Sequence, residues 1–237
     1  MGCAAFLAAA PVKAGTPVEA PAPAPSPEIG AEVSVGYDTH YIFRGFNYGE
    51  NLVSGGVDVD VPLSDGLSLN LGTWYGSLAD DDYDALNLLA GLSYDLGNFE
   101  LGFGAIWYYY PQGFDGGGSG IDDALELGAS IGTKVAGIDV GLGYYYDLEE
   151  DGSYIELGAA KTIELSDTVA LVAGTSISYA DDYYGISGFN AVGARLSLPI
   201  ALTDTATLKP YVAGTWGIDG SGQPDEVYGG VSLSVSF

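Results

Sequence analysis

The sequence predicts an all-β protein, a transmembrane up-and-down antiparallel β-barrel of 12 strands. Three observations carry that expectation. Apolar residues alternate with small or polar ones at period two through most of residues 31–237, and the apolar set is almost free of charge. The connections alternate between tight turns and longer loops. Aromatic residues gather at segment ends. Residues two apart share one face of a strand, so alternation of this kind builds a sheet with one apolar face.

The segments follow in order. Residues 31–43 set Val33, Val35 and Tyr37 against Ser34, Gly36 and Asp38, and 51–62 set valines against Asp58 and Asp60. In 66–78, Leu67, Leu69, Leu71 and Tyr75 oppose Ser68, Asn70, Gly72 and Trp74. Residues 85–96, 99–110 ("FELGFGAIWYY"), 124–135, 138–148 ("IDVGLGYYY"), 153–164 and 168–180 ("VALVAGTSISY") repeat the pattern. Residues 187–201 and 205–218 alternate least cleanly, and 227–237 close the series with Val227, Val231, Leu233, Val235 and Phe237 against Tyr228, Gly230 and serines. The tight turns are "PLSDG", "LGN", "VAG", "ELSDT" and "ALTDT"; the longer connections include "RGFNYGE", "ADDDYD", "LEEDGS" and "ADDYYGIS". Short turns at one end and long loops at the other describe a meander.

A soluble sheet would carry Lys, Glu, Arg and Thr on its polar register and lysines on its edges. Here that register is mostly Gly, Ser, Ala and Asn with scattered acids, and the chain has six Lys plus Arg in total. Lys161 is the main charge on the apolar register, close enough to a short turn to snorkel. Strands of this length, tilted by about 45°, cross the roughly 25 Å apolar band of an outer membrane. Tyr41, Phe43, Tyr75, Trp107, Tyr109, Tyr144, Tyr179 and Trp216 precede long loops, and Phe237 lies at the opposite rim. These residues are the expected aromatic girdles at the two interfaces.

Residues 1–14 read as a signal peptide, with Val12-Lys13-Ala14 as a small-residue cleavage site, and 15–30 as an Ala/Pro-rich periplasmic linker before the barrel at 31–237. The expected location is the bacterial outer membrane. A single cysteine excludes a disulfide framework. A net charge of −26 excludes nucleic acid as a partner.

On the lumen-facing register stand the acids Asp58, Asp60, Glu100, Glu126, Asp139 and Glu156, with the bases Arg44, Lys134, Arg195 and Lys209. Trp74, Leu89, Ile106, Tyr108, Tyr145, Tyr154, Tyr211 and Tyr228 also point inward. Arg44 is expected at the outer mouth, either tying down the first long loop by an ion pair or acting as a gate. Acidic rings concentrate cations, so the leading expectation is a passive channel for cations or small polar solutes. The alternative is a structural or adhesive surface protein. A rim hydrolase would need His, and His40 is the only one. No catalytic residue, metal site or cofactor is expected. Membrane lipid is the expected surrounding.

The terminal "GGVSLSVSF" resembles the assembly signal of Gram-negative outer-membrane barrels, which implies the barrel-assembly machinery as a partner through Phe237. The stretch "YDTHYIFRGFNYGENLVSGGVDVD" resembles the opening of the Gcw_chp (TorF-like) family of proteobacterial outer-membrane proteins. Tyr41, Arg44, Gly45, Gly56 and Asp58 match its pattern, and Phe46-Asn47 replace the usual Ser-Gln. That resemblance implies a channel without a settled substrate.

Overall fold

The computed structural model describes residues 29–80, 83–111, 123–218 and 220–237. The expected signal peptide, nearly all of the linker, and Asp81 and Asp82 of the second outer loop lie outside them. The strands are β1 (Gly30–Phe43), β2 (Phe46–Ser64), β3 (Leu67–Leu78), β4 (Asp84–Asp95), β5 (Phe99–Tyr109), β6 (Ala124–Val135), β7 (Ile138–Asp147), β8 (Gly152–Glu164), β9 (Ala170–Tyr183), β10 (Ile186–Ser197), β11 (Ile200–Ala201), β12 (Ala206–Gly217) and β13 (Glu226–Ser236). Strand β11 is the tail of β10. Ser197 faces Tyr211 and Ile200 faces Leu208 in one unbroken register, and Leu198 N–H still donates to Pro210. The thirteen segments therefore form twelve staves.

Every stave pairs antiparallel with its sequence neighbour, and the sheet closes where β1 pairs with β13. Closure leaves no unpaired edge, which hydrocarbon would not tolerate. The two faces are inverted relative to a soluble protein. Val35, Leu71, Leu92, Phe103, Leu142, Leu157 and Leu233 are exposed, while Ser54, Asn87, Ser178 and Thr215 are buried. Of the expected girdle, Tyr75, Trp107, Tyr109, Tyr144, Tyr179, Trp216 and Phe237 lie on the exposed outer face. At the outer rim the phenols find acceptors near the water layer, Tyr75 on Asp84 at 2.7 Å and Tyr37 on Asn51 at 2.5 Å.

Tyr41 and Phe43 depart from that expectation, being 5% and 8% exposed, and they point inward. The register between β1 and β2 slips between His40 and Ile42, with one more residue on β2 than on β1. A bulge of this kind bends the ribbon and re-aims its side chains. Beyond it the inward set passes from Ser34, Gly36 and Asp38 to Tyr41 and Phe43. The connection read as the loop "RGFNYGE" is instead a hairpin, Phe43 facing Phe46 across a two-residue turn. Arg44 and Gly45 take φ of 52° and 86° there, as the turn that follows the natural strand twist requires. "ADDYYGIS" likewise folds as a hairpin, with Tyr184 at φ 48° and Gly185 at 76° between Tyr183 and Ile186.

Candidate functional site: the constricted outer mouth and the lumen below it

The β1–β2 hairpin tip reaches across the mouth of the barrel. Its inward residues Tyr41, Phe43 and Leu52 pack with Trp74, Leu78, Tyr83, Ala85, Ile106 and Tyr108 of the near wall, with Tyr48 against the same cluster. Phe46 meets Tyr184 of the second hairpin edge to face, with ring centroids 6.2 Å apart. Gly45 abuts the far wall closely enough that a Cβ would lie 3.2 Å from the Asn190 amide nitrogen and 3.3 Å from Ala191 Cβ. Asn190 Nδ2 donates to the Arg44 carbonyl at 2.8 Å, fixing the tip to β10.

Arg44 lies at the centre. Its Nη2 donates to Glu126 Oε1 at 2.6 Å while Nη1 donates to Glu126 Oε2, and Nη1 also donates to the Tyr183 hydroxyl at 2.5 Å. The guanidinium carbon sits 4.2 Å from the ring centre of Tyr145, 4.8 Å from Tyr154, 5.3 Å from Tyr183 and 4.8 Å from Phe43. The two charged side chains are 6% and 1% exposed. Glu126 stands next to Leu125, whose cross-strand partner is Trp107, so the pair lies at the depth of the outer girdle. A two-pronged, charge-assisted contact and the negative faces of the rings replace the water that both ions give up.

The supports of this constriction are themselves held. Tyr183 also donates to Glu126 at 3.4 Å and Tyr184 donates to Asp147 at 3.0 Å. Asp147 accepts the amides of Glu149 and Glu150 and so caps its own turn. In the outer connections, burial pushes the phenols of Tyr110 and Tyr184 well above the ordinary tyrosine range, so both remain neutral donors.

Below the constriction the lumen is polar and uneven in charge. Asp58 lies directly across from Glu32, and Glu100 across from Asp95. Like charges in facing positions destabilise a sheet, although Asp95 also accepts the Gly97 amide in its turn at 2.6 Å and Glu32 accepts from Ser236 at 3.3 Å. Asp60 accepts a hydrogen bond from Asn70. Glu156 accepts from Tyr154 at 3.4 Å. Lys134 and Asp139 neutralise each other at 3.2 Å across a short turn. Arg195 and Lys209 stand on the adjacent staves β10 and β12. Arg195 stacks on Tyr211 at 3.4 Å and donates from Nε to Ser197 at 3.1 Å, while Tyr211 donates to Asp38.

The expected lumen residues separate by depth, with Lys134 paired to Asp139 at a short turn and Glu156 beside Tyr154. Arg44 and Glu126 are locked together at the mouth, whereas Asp58, Asp60, Glu100, Arg195 and Lys209 line the space beneath. His40 contacts Thr39 and Glu50 rather than Asp38. Sequence reasoning missed Tyr48, Tyr83, Tyr183 and Asn190. The signal for Tyr183 was the Tyr-Gly pair that follows it, a two-residue hairpin turn with an unusual first residue.

A closed, lipid-facing cylinder with a polar interior defines the porin-type β-barrel class. Solved structures agree on that fold. The NanC porin matches with a TM-score of 0.53 at 12% identity over 86% of this chain and 98% of its own. The KdgM porin matches at 0.55 and 10% over 87% and 99%. An outer membrane channel from Pseudomonas putida F1 matches at 0.56 and 13% over 91% and 97%. At such identities the likeness is one of fold. Neither a protein-family model nor a curated protein sequence matches the chain.

Proposed function

We propose that this protein is a bacterial outer-membrane channel that passes small cations and polar solutes, with conduction limited by the hairpin across its outer mouth. The observation that carries the reading is the facing carboxylates of Glu32–Asp58 and Asp95–Glu100 on the inner wall. Asp95 and Glu32 also hold a turn amide and a serine hydroxyl, but two facing pairs of acids on one wall suit an ion path that attracts cations. Arg195 and Lys209 oppose only part of this charge. A polyanion such as the oligogalacturonate in complex with KdgM is therefore not the solute we assign. The resemblance of Tyr41, Arg44, Gly45, Gly56 and Asp58 to the Gcw_chp (TorF-like) pattern, which no family model bears out, agrees with a channel and says nothing of its solute. Phe237, at the end of the closing stave, is the residue we assign to recognition by the assembly machinery.

Planar-bilayer recording under a KCl gradient tests the proposal. The expected result is a small conductance with a reversal potential on the cation side, larger when Arg44 is replaced by Gly. Silence in both proteins would favour a structural or adhesive barrel, the reading that the occupied mouth supports.

A further inference from the structure

We infer that Tyr145, Tyr154 and Tyr183 with Glu126 form a binding site for a guanidinium-bearing organic cation, which Arg44 occupies as a tethered substitute. The inference rests on the channel reading for the way an external cation arrives. The site itself rests on geometry. Its four members belong to the barrel wall, on β6, β7, β8 and β9, where Tyr183 donates to Glu126 at 3.4 Å. Tyr145 and Tyr154 face each other across β7 and β8, with ring centroids 6.3 Å apart, and Tyr154 and Tyr183 are 5.6 Å apart. Glu126 is paired across strands with Asp147. The cation they hold comes from elsewhere, on the tip of a two-residue turn between β1 and β2.

The match in chemistry is specific. Both Glu126 oxygens take separate guanidinium nitrogens, which needs a flat fork of donors that an ammonium lacks. Three tyrosine faces surround the ion, each within 5.3 Å of its carbon. Phenols beside a carboxylate and a desolvated cation are how proteins recognise organic cations in general. Glu156, accepting from Tyr154, places a second carboxylate beside the cage. A solute carrying a guanidinium head would compete with Arg44 for these groups, and displacing it removes one tie of the hairpin to the far wall, leaving the Asn190 and Tyr184 contacts.

The test is calorimetric titration of guanidinium chloride into the full chain, refolded in detergent, using sodium chloride as the control. Arg44→Gly removes the tethered occupant and keeps the turn, since its φ of 52° suits glycine. Saturable binding to Arg44→Gly is expected, weaker by about tenfold or more in Arg44→Gly/Glu126→Gln and absent in the wild type at the same concentrations. No saturable heat in Arg44→Gly, or equal heat in the wild type, overturns the inference. Arg44→Asn, also tolerant of the left-handed region, serves if the glycine variant does not fold. Conductance of the same preparation separates the two readings. A variant that binds guanidinium but carries no current sinks the channel and leaves the site; one that conducts without binding does the reverse.

Discussion

Replacing Glu126 with Gln keeps the shape of the side chain and removes its charge from beneath Arg44. With the partners 6% and 1% exposed, water cannot stand in for the lost carboxylate. Breaking a buried pair from one side costs about 3–5 kcal/mol. The amide oxygen still accepts one N–H, and the rings at 4.2 to 5.3 Å remain, which places the loss toward the lower bound. About 3 kcal/mol corresponds to roughly a hundredfold change in an equilibrium constant. That loss falls on the hairpin rather than on the barrel, because Arg44 joins the far wall only through the tip while the staves keep their own ladders. Hydrogen exchange at the amides of residues 43–48 should therefore accelerate by about two orders of magnitude, with the barrel strands unchanged. Bilayer conductance should rise in parallel. The double variant Arg44→Gly/Glu126→Gln should cost less than the two single losses added together, because the uncompensated charge is gone. If exchange at the tip and conductance both stay at wild-type values in a folded Glu126→Gln protein, the ion pair does not hold the mouth.

Three further perturbations probe other parts of the molecule. Asp58→Asn with Glu100→Gln removes one carboxylate from each facing acidic pair, so the KCl-gradient reversal potential should move toward zero; an unchanged potential would place the ion path elsewhere. Leu142→Arg puts a charge on an exposed apolar position paired with Leu157, and should lower stability in lipid vesicles by about 2–4 kcal/mol, whereas Ser176→Arg on the inner face should not. Gly230→Ala should impair folding, because a Cβ there would come within 2.5 Å of the Tyr37 carbonyl and 2.7 Å of the Tyr211 ring. Heat-modifiable gel mobility reads this out, and wild-type behaviour would mean the β1–β13 closure is looser than described.

The barrel was legible in the sequence because lipid imposes one rule on every stave. Nearly every outward position from Val33 to Leu233 is apolar, Lys161 near a short turn being the charged exception, and the period of two then assigns the inner set without any knowledge of pairing. That logic turned Tyr145 and Tyr154 inward, where both are buried, and set Asp58, Glu100 and Arg195 on the polar register of their strands. It failed at Tyr41 and Phe43, where the alternation continues in the text but one extra residue on β2 turns the ribbon over. It failed again at "ADDYYGIS", where a tyrosine occupies a turn position that Asn, Asp or Gly usually signals. Both failures lie above the hydrocarbon, where the outward face no longer has to be apolar and the constraint that made the strands readable ends.

The sequence alone determined the cylinder and its strand count, since both follow from residue-by-residue partition between lipid and water. Only the tertiary structure decided what Arg44 does. A guanidinium can satisfy a carboxylate and several rings wherever these converge, and the convergence of β6, β7, β8 and β9 beneath a hairpin from β1 and β2 is set by closure of the sheet. Closure brings together residues as distant in the chain as Arg44 and Tyr183, which no local pattern records.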